Sequence, residues 1–177
     1  MATKNAKGLV QVFTGNGKGK TTAALGAVLR AAGHGLKIYI VFFMKGDYDR
    51  GEFKALARFP NVEVSRSGFR KFVDPARITP EEKEQAGLAL AAARQAITSG
   101  DYYLVVLDEL NVAISYGLVA LEEVIQLIRE KPPHVELIIT GRQADARLVE
   151  MADLVTEMVK VKHPYDRGIK ARKGIEY

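Results

Sequence analysis

The segment Thr14-Gly15-Asn16-Gly17-Lys18-Gly19-Lys20-Thr21-Thr22 gathers glycines, lysines and hydroxyls into one short stretch. Glycines let successive backbone N–H groups turn toward a single point, and a helix that starts there directs its positive end at the same place. Lys20 adds a charge and Thr21 a hydroxyl suited to Mg²⁺, so a triphosphate, that of ATP with Mg²⁺ above all, satisfies every group from Gly15 to Thr22 at once. The strict form of such a loop has glycine where this chain has Thr14, so the loop is a variant. Lys18 is either a second phosphate contact or a solvent-facing loop residue.

A second acidic element lies further on. Tyr102-Tyr103-Leu104-Val105-Val106-Leu107-Asp108-Glu109 reads as an apolar strand ending in two carboxylates. Beside a phosphate loop they would hold Mg²⁺, directly or through water; taken alone, they could equally cap a following helix. Arg142, in Thr140-Gly141-Arg142, is a candidate for an added phosphate contact or an ordinary surface arginine. His34, His134 and His163 have no metal-ligand spacing, and no Ser-His-Asp arrangement follows from their order, so neither zinc nor nucleophilic chemistry is indicated.

The elements that must position these residues are readable in outline. Apolar runs at 9–14, 37–43, 62–65, 103–107, 135–140 and 154–159 suggest six strands. Between them, Lys20 onward is rich in helix formers up to Gly33-His34-Gly35. The stretch 76–98 carries a Thr79-Pro80-Glu81-Glu82 start, and 118–130 has helical spacing until Pro132 and Pro133 stop it. The alternation predicts an α/β fold, a three-layer α/β/α sandwich around a mostly parallel sheet, as one domain over residues 1–177.

Composition narrows the class. A 177-residue chain with 47% hydrophobic and 27% charged residues can bury a single core. The absence of cysteine removes thiol catalysis and iron–sulfur clusters and suits a reducing compartment. With no apolar run of membrane-spanning length and no signal-like start, the expectation is a cytoplasmic protein without a membrane partner. The formal charge is +5, and residues 160–177 hold six Lys or Arg against Asp166 and Glu176. That basic segment could meet a triphosphate or nucleic acid, or could simply be solvated.

Taken together, TGNGKGKTTAA at 14–24, RAAGHG at 30–35, Lys45-Gly46, Gly51-Glu52, Gly68-Phe69, LDEL at 107–110, Thr140-Gly141-Arg142, ADLVTEM at 152–158 and KHPYDRGIKARKGIEY at 162–177 span the chain. In these motifs the sequence resembles the ATP:corrinoid adenosyltransferases, a RecA-like P-loop NTPase fold. The resemblance implies transfer of the 5'-deoxyadenosyl group of ATP to the Co(I) of a reduced corrinoid, with release of triphosphate. It implies Lys20, Thr21 and Glu109 as catalytic residues, and Mg²⁺ (or Mn²⁺) held by Thr21 and Glu109 with Asp108 in support. The nucleotide would lie in the loop with reversed polarity, its adenosine end toward the corrinoid.

By the same resemblance, Arg30 and His34 become phosphate or adenosine neighbours, and Phe69 and Phe72 an apolar face for the corrin ring. A homodimer and a reduced flavoprotein as electron donor are further implied, with no nucleic acid partner. The chain departs from the family's pattern at Lys71, where tryptophan is usual, and at Phe42 and Arg172, where glutamine is usual. The arm before the first strand is also short, which would reduce a lid over a partner subunit's site. Two other readings share the loop: a nucleotide-switched module that binds or delivers cobalamin without transferring adenosine, and a hydrolase that sets its basic tail on nucleic acid.

Overall fold

Six aliphatic runs become six strands in the computed structural model, which describes residues 7–46, 49–69 and 73–177. They are β1 (Val10–Thr14), β2 (Ile38–Phe42), β3 (Val62–Arg66), β4 (Leu104–Asp108), β5 (Glu136–Thr140) and β6 (Leu154–Glu157). Every neighbouring pair is parallel, in the order β3-β2-β4-β5-β1-β6. The sheet is therefore parallel throughout, where the sequence had led us to expect a mostly parallel one. Phe72 and Lys71 lie outside the described residues.

Helices cover both faces: α1 (Lys20–Gly33), α2 (Gly51–Leu56), α3 (Pro80–Ser99), α4 (Leu110–Ser115), α5 (Leu121–Glu130) and α6 (Ala146–Met151), with a 3₁₀ turn at Pro164–Arg167. Alternate strand residues supply the two cores. Ile38, Ile40, Phe42, Leu104, Val106 and Ile138 pack with Ala24, Val28 and Ala32 of α1 and Leu56 of α2. Their neighbours Val41, Val105, Leu107, Leu137 and Ile139 pack with Ala89, Ala93 and Ile97 of α3 and Val124 and Leu127 of α5. Because both faces are covered, β4 is buried along its whole length, which is why it reads as an unbroken apolar run.

Two helices start later than their apolar spacing suggests. Thr79 accepts the Glu82 N–H while the Glu82 carboxylate accepts that of Thr79, and this capping box with Pro80 behind it starts α3 at Pro80 rather than residue 76. Leu118 and Val119 are buried, yet they lie ahead of α5 in the stretch after Gly117, whose φ of +70° ends the previous turn. The order of strands matters most for the site. With β5 between β1 and β4, the C-terminal ends of these three strands lie side by side, where open parallel sheets bind their ligands.

Candidate active site

The loop after β1 is shaped by close backbone contact. Gly17 donates its N–H to the Met158 carbonyl at 2.6 Å, and a Cβ on Gly17 would lie 2.6 Å from that same oxygen, so no larger residue fits there. Gly19, with φ +122°, ends the loop in a conformation L side chains avoid and precedes the first turn of α1. Thr14, the departure from the strict pattern, accepts the Ala144 N–H at 3.2 Å and so ties the segment after β5 to the start of the loop.

Lys20 is almost fully buried and folds back onto the loop, its ammonium donating to the carbonyls of Gly15 at 2.8 Å and Gly17 at 2.7 Å. Burial pulls its pKa below the ordinary lysine value, with the Arg142 guanidinium adding to the effect and Glu109 and Asp108 opposing it. A cation held so short of water has much to gain from an anionic ligand.

Asp108 ends β4 fully buried. Thr140, at the end of β5, donates its hydroxyl to Asp108 Oδ1 at 2.7 Å and accepts the Glu109 N–H at 3.1 Å on the same oxygen. Lys45, in the loop after β2, donates its ammonium to the other Asp108 oxygen and stands 3.4 Å from Thr21 Oγ1. Glu109 itself has φ +63°, a left-handed conformation that costs a residue with a Cβ about 1–3 kcal/mol and is found where function requires it. Its carboxyl is pushed above the usual range, first by burial and then by the neighbouring Asp108 carboxylate.

A cavity of about 740 Å³ opens over these groups, within the range of small-ligand sites. Asn16, Gly17, Lys18, Gly19, Lys20, Thr21 and Thr22 border it, facing Lys45, Glu109 and Arg142. The loop that carries Arg142 is fixed by Asn111, whose amide donates to the Gly141 carbonyl at 3.2 Å. His163 and the chain's last residues, Gly174 to Tyr177, close one side. Lys18 turns to that side, its ammonium donating to the Ile175 carbonyl at 3.2 Å and the Glu176 carboxylate at 2.9 Å.

Not every expected residue joins them. Gly15 and Asp108 stand behind the cavity wall rather than on it. Arg30 and His34 are exposed at the far end of α1, and a helix of that length puts about 15–20 Å between them and Lys20. They do not border this cavity. Phe69 is exposed outside the cavity, next to a Gly68 that abuts the backbone of Met44 and Gly46. Lys45 and Thr140 are the groups that sequence reasoning passed over, carrying the resemblance without a role attached, while the C-terminal segment was given a role only through its charge.

The donor set suits a hard divalent cation. Thr21 Oγ1 and the Asp108 carboxylate converge on one cation, the Lys45 ammonium, with Glu109 close enough to feel the charges of both Asp108 and Lys45. Hydroxyl and carboxylate oxygens are what Mg²⁺ takes beside substrate phosphates, where it needs only one or two carboxylates.

A glycine loop between a parallel strand and a helix, with paired carboxylates two strands away in the sheet, defines a P-loop nucleotide-binding protein. Within that class the chain belongs to the family described as ATP:corrinoid adenosyltransferase BtuR/CobO/CobP, whose model matches residues 6–177. It is 40% identical to a corrinoid adenosyltransferase of Pseudomonas aeruginosa over 98% of this chain and 86% of the relative. It is 37% identical to one from Escherichia coli K12, covering 98% and 88%, and 37% identical to the corrinoid adenosyltransferase CobA of Salmonella typhimurium, covering 97% and 86%. All three carry a transferase's name, which leaves the delivery-module reading without support. Among the described residues no helix is long and apolar enough to cross a membrane.

Proposed function

We propose that the chain, acting as a single unit over residues 1–177, transfers the 5'-deoxyadenosyl group of ATP to the cobalt of a reduced corrinoid and releases inorganic triphosphate. The observation that carries this reading is the convergence of the phosphate loop, Glu109 and Arg142 on one cavity. Cobalt(I) brings its own electron pair and has no proton to lose. As the cobalt–carbon bond forms at C5', the C5'–O bond breaks and its electrons leave with the triphosphate.

No base is needed on the protein, and its work falls on the leaving group. Backbone N–H groups of residues 15–22 other than that of Gly17, which the Met158 carbonyl holds, bind the triphosphate with the Lys20 ammonium, Lys20 exchanging the Gly15 and Gly17 carbonyls for phosphate oxygens. Arg142, across the cavity, meets the same charge. Thr21, Asp108 and Glu109 would hold Mg²⁺ or Mn²⁺, which when bound neutralises part of the triphosphate charge. The nucleotide lies with its adenosine end toward the corrinoid, and by the family resemblance Phe69 and Phe72 form the apolar face that meets the corrin ring, a role that the exposure of Phe69 supports. A homodimer, a cytoplasmic setting and a reduced flavoprotein as electron donor complete the proposal on the family resemblance alone.

The test is the cobalt product. Protein, ATP, Mg²⁺ and chemically reduced cobalamin should yield a light-sensitive alkylcobalt absorption spectrum; a spectrum that returns to plain oxidised cobalamin in the dark would refute the transfer.

A further inference from the structure

Lys45 has no counterpart among the groups a phosphate loop requires, yet from the loop after β2 it reaches Thr21 and borders the same cavity. Its side chain is nearly buried, and its ammonium joins the Asp108 carboxylate to the Thr21 hydroxyl. These are the oxygens we assign to the divalent cation. The ammonium and the metal therefore ask for the same place.

The loop that presents Lys45 is built rather than loose. Beyond β2, Met44 takes a φ of +56°, rare for a residue with a side chain, and turns the chain back toward β4. A Cβ on Gly46 would lie 2.1 Å from the Gly68 carbonyl oxygen, and one on Gly68 would lie 2.8 Å from Met44 Cα. Two glycines thus let the segments pack backbone to backbone, and the contact fixes where the Lys45 stem begins. The ammonium also sits 5.4 Å from the centre of the Phe42 ring, a face that favours a cation.

We propose that Lys45 is a tethered placeholder for the divalent cation: in the nucleotide-free protein its ammonium holds Asp108 and Thr21 and keeps the metal out, so that metal enters only together with the triphosphate. A carboxylate buried at the end of β4 cannot be left without a positive partner, and a divalent ion attracted there before ATP would meet a site lacking its phosphate ligands. When ATP arrives, the triphosphate offers the ammonium a second anion within reach, and Asp108 passes from one cation to the other. The inference rests on the assignment of Thr21, Asp108 and Glu109 to the metal.

The experiment follows Mn²⁺ binding to the whole chain by water-proton relaxation, with and without ATP, in the wild type and in Lys45→Met and Lys45→Arg. Without nucleotide, Lys45→Met should bind one Mn²⁺ at least tenfold more tightly than the wild type, and Asp108→Asn in the same background should abolish the gain. Lys45→Arg, which keeps the charge, should behave as the wild type and guards against a folding defect in the methionine variant. Equal nucleotide-free Mn²⁺ affinity in folded wild type and Lys45→Met would overturn the placeholder role, and a change in thermal stability alone would mark Lys45 as structural. If wild-type protein gives no relaxation enhancement with Mn²⁺ and ATP together, the metal assignment itself fails and the placeholder with it.

Discussion

Lys18 and Glu176, 158 positions apart in the chain, meet at 2.9 Å, and the contact lays the last residues of the protein against its phosphate loop. Arg172 holds the same carboxylate at 3.0 Å, and together the two cations bring the Glu176 carboxyl down to about 2, Arg172 contributing more. The C-terminal segment is thus docked through Glu176, while its six Lys and Arg side chains stay exposed.

That docking sets a pH and salt prediction. A carboxyl whose pKa is depressed in the folded state stabilises its contact fully above the unfolded value near 4.5 and loses it as pH falls through about 2. The segment should stay docked across neutral and mildly acid pH. Because the group is exposed, salt should loosen it instead. Hydrogen exchange of the Gly174 and Glu176 amides, which donate to Tyr177 and Arg172, should be flat from pH 5 to 8 after correction for intrinsic rate, and should quicken in high salt or in Glu176→Gln.

Thr140 makes a second prediction. Its hydroxyl satisfies a buried Asp108 oxygen and the Glu109 N–H at once. Thr140→Val keeps the shape and removes both bonds, leaving buried polar groups unmet at a cost of about 1–3 kcal/mol. Urea unfolding should register that loss, while Thr140→Ser should recover most of it.

Much of this arrangement was legible before the fold. The inner strands β1, β2, β4 and β5 showed as apolar runs because helices cover both faces of the sheet there, whereas β3 and β6 at its edges are largely exposed, and the loop showed because Gly17 and Gly19 answer to backbone constraints no other residue meets. Helices α2, α4 and α6 did not show, since six residues are under two turns and carry no period. Thr140 and Lys45 were hidden for a different reason. Both reach Asp108 only because β4 is flanked by β5 on one side and β2 on the other, a strand order that spacing along the chain does not contain. Arg30 and His34 follow the loop closely in sequence, yet the 14-residue helix α1 carries them to its far end, a separation that spacing along the chain does not convey.

Glu109 carries a stability cost of known sign. Its carboxyl is raised in the folded state by burial and by Asp108, so its ionisation opposes folding as pH rises through that raised value, and the penalty is absent below the unfolded value. Glu109→Gln should therefore melt higher than the wild type at pH 8, with the difference shrinking as pH is lowered toward 4, and should bind Mn²⁺ with ATP less tightly. Melting curves of both proteins over that range check the sign.

Lys20 should matter to turnover far more than to folding. Removing the cation that meets the leaving triphosphate in Lys20→Ala should lower kcat by about 10²–10³, the size expected when one group that stabilises transition-state charge is lost. Lys18→Ala, whose ammonium is already engaged by the C-terminal segment, should cost less than tenfold. Steady-state kinetics with saturating reduced cobalamin separates the two.

The phosphorus product tests the central claim most directly. With ATP, Mg²⁺ and chemically reduced cobalamin, ³¹P NMR should show inorganic triphosphate accumulating in step with cobalt–carbon bond formation, with ADP and orthophosphate absent. Accumulation of ADP and orthophosphate, or ATP left intact while Co(I) persists, would contradict a site built to hold triphosphate as the leaving group.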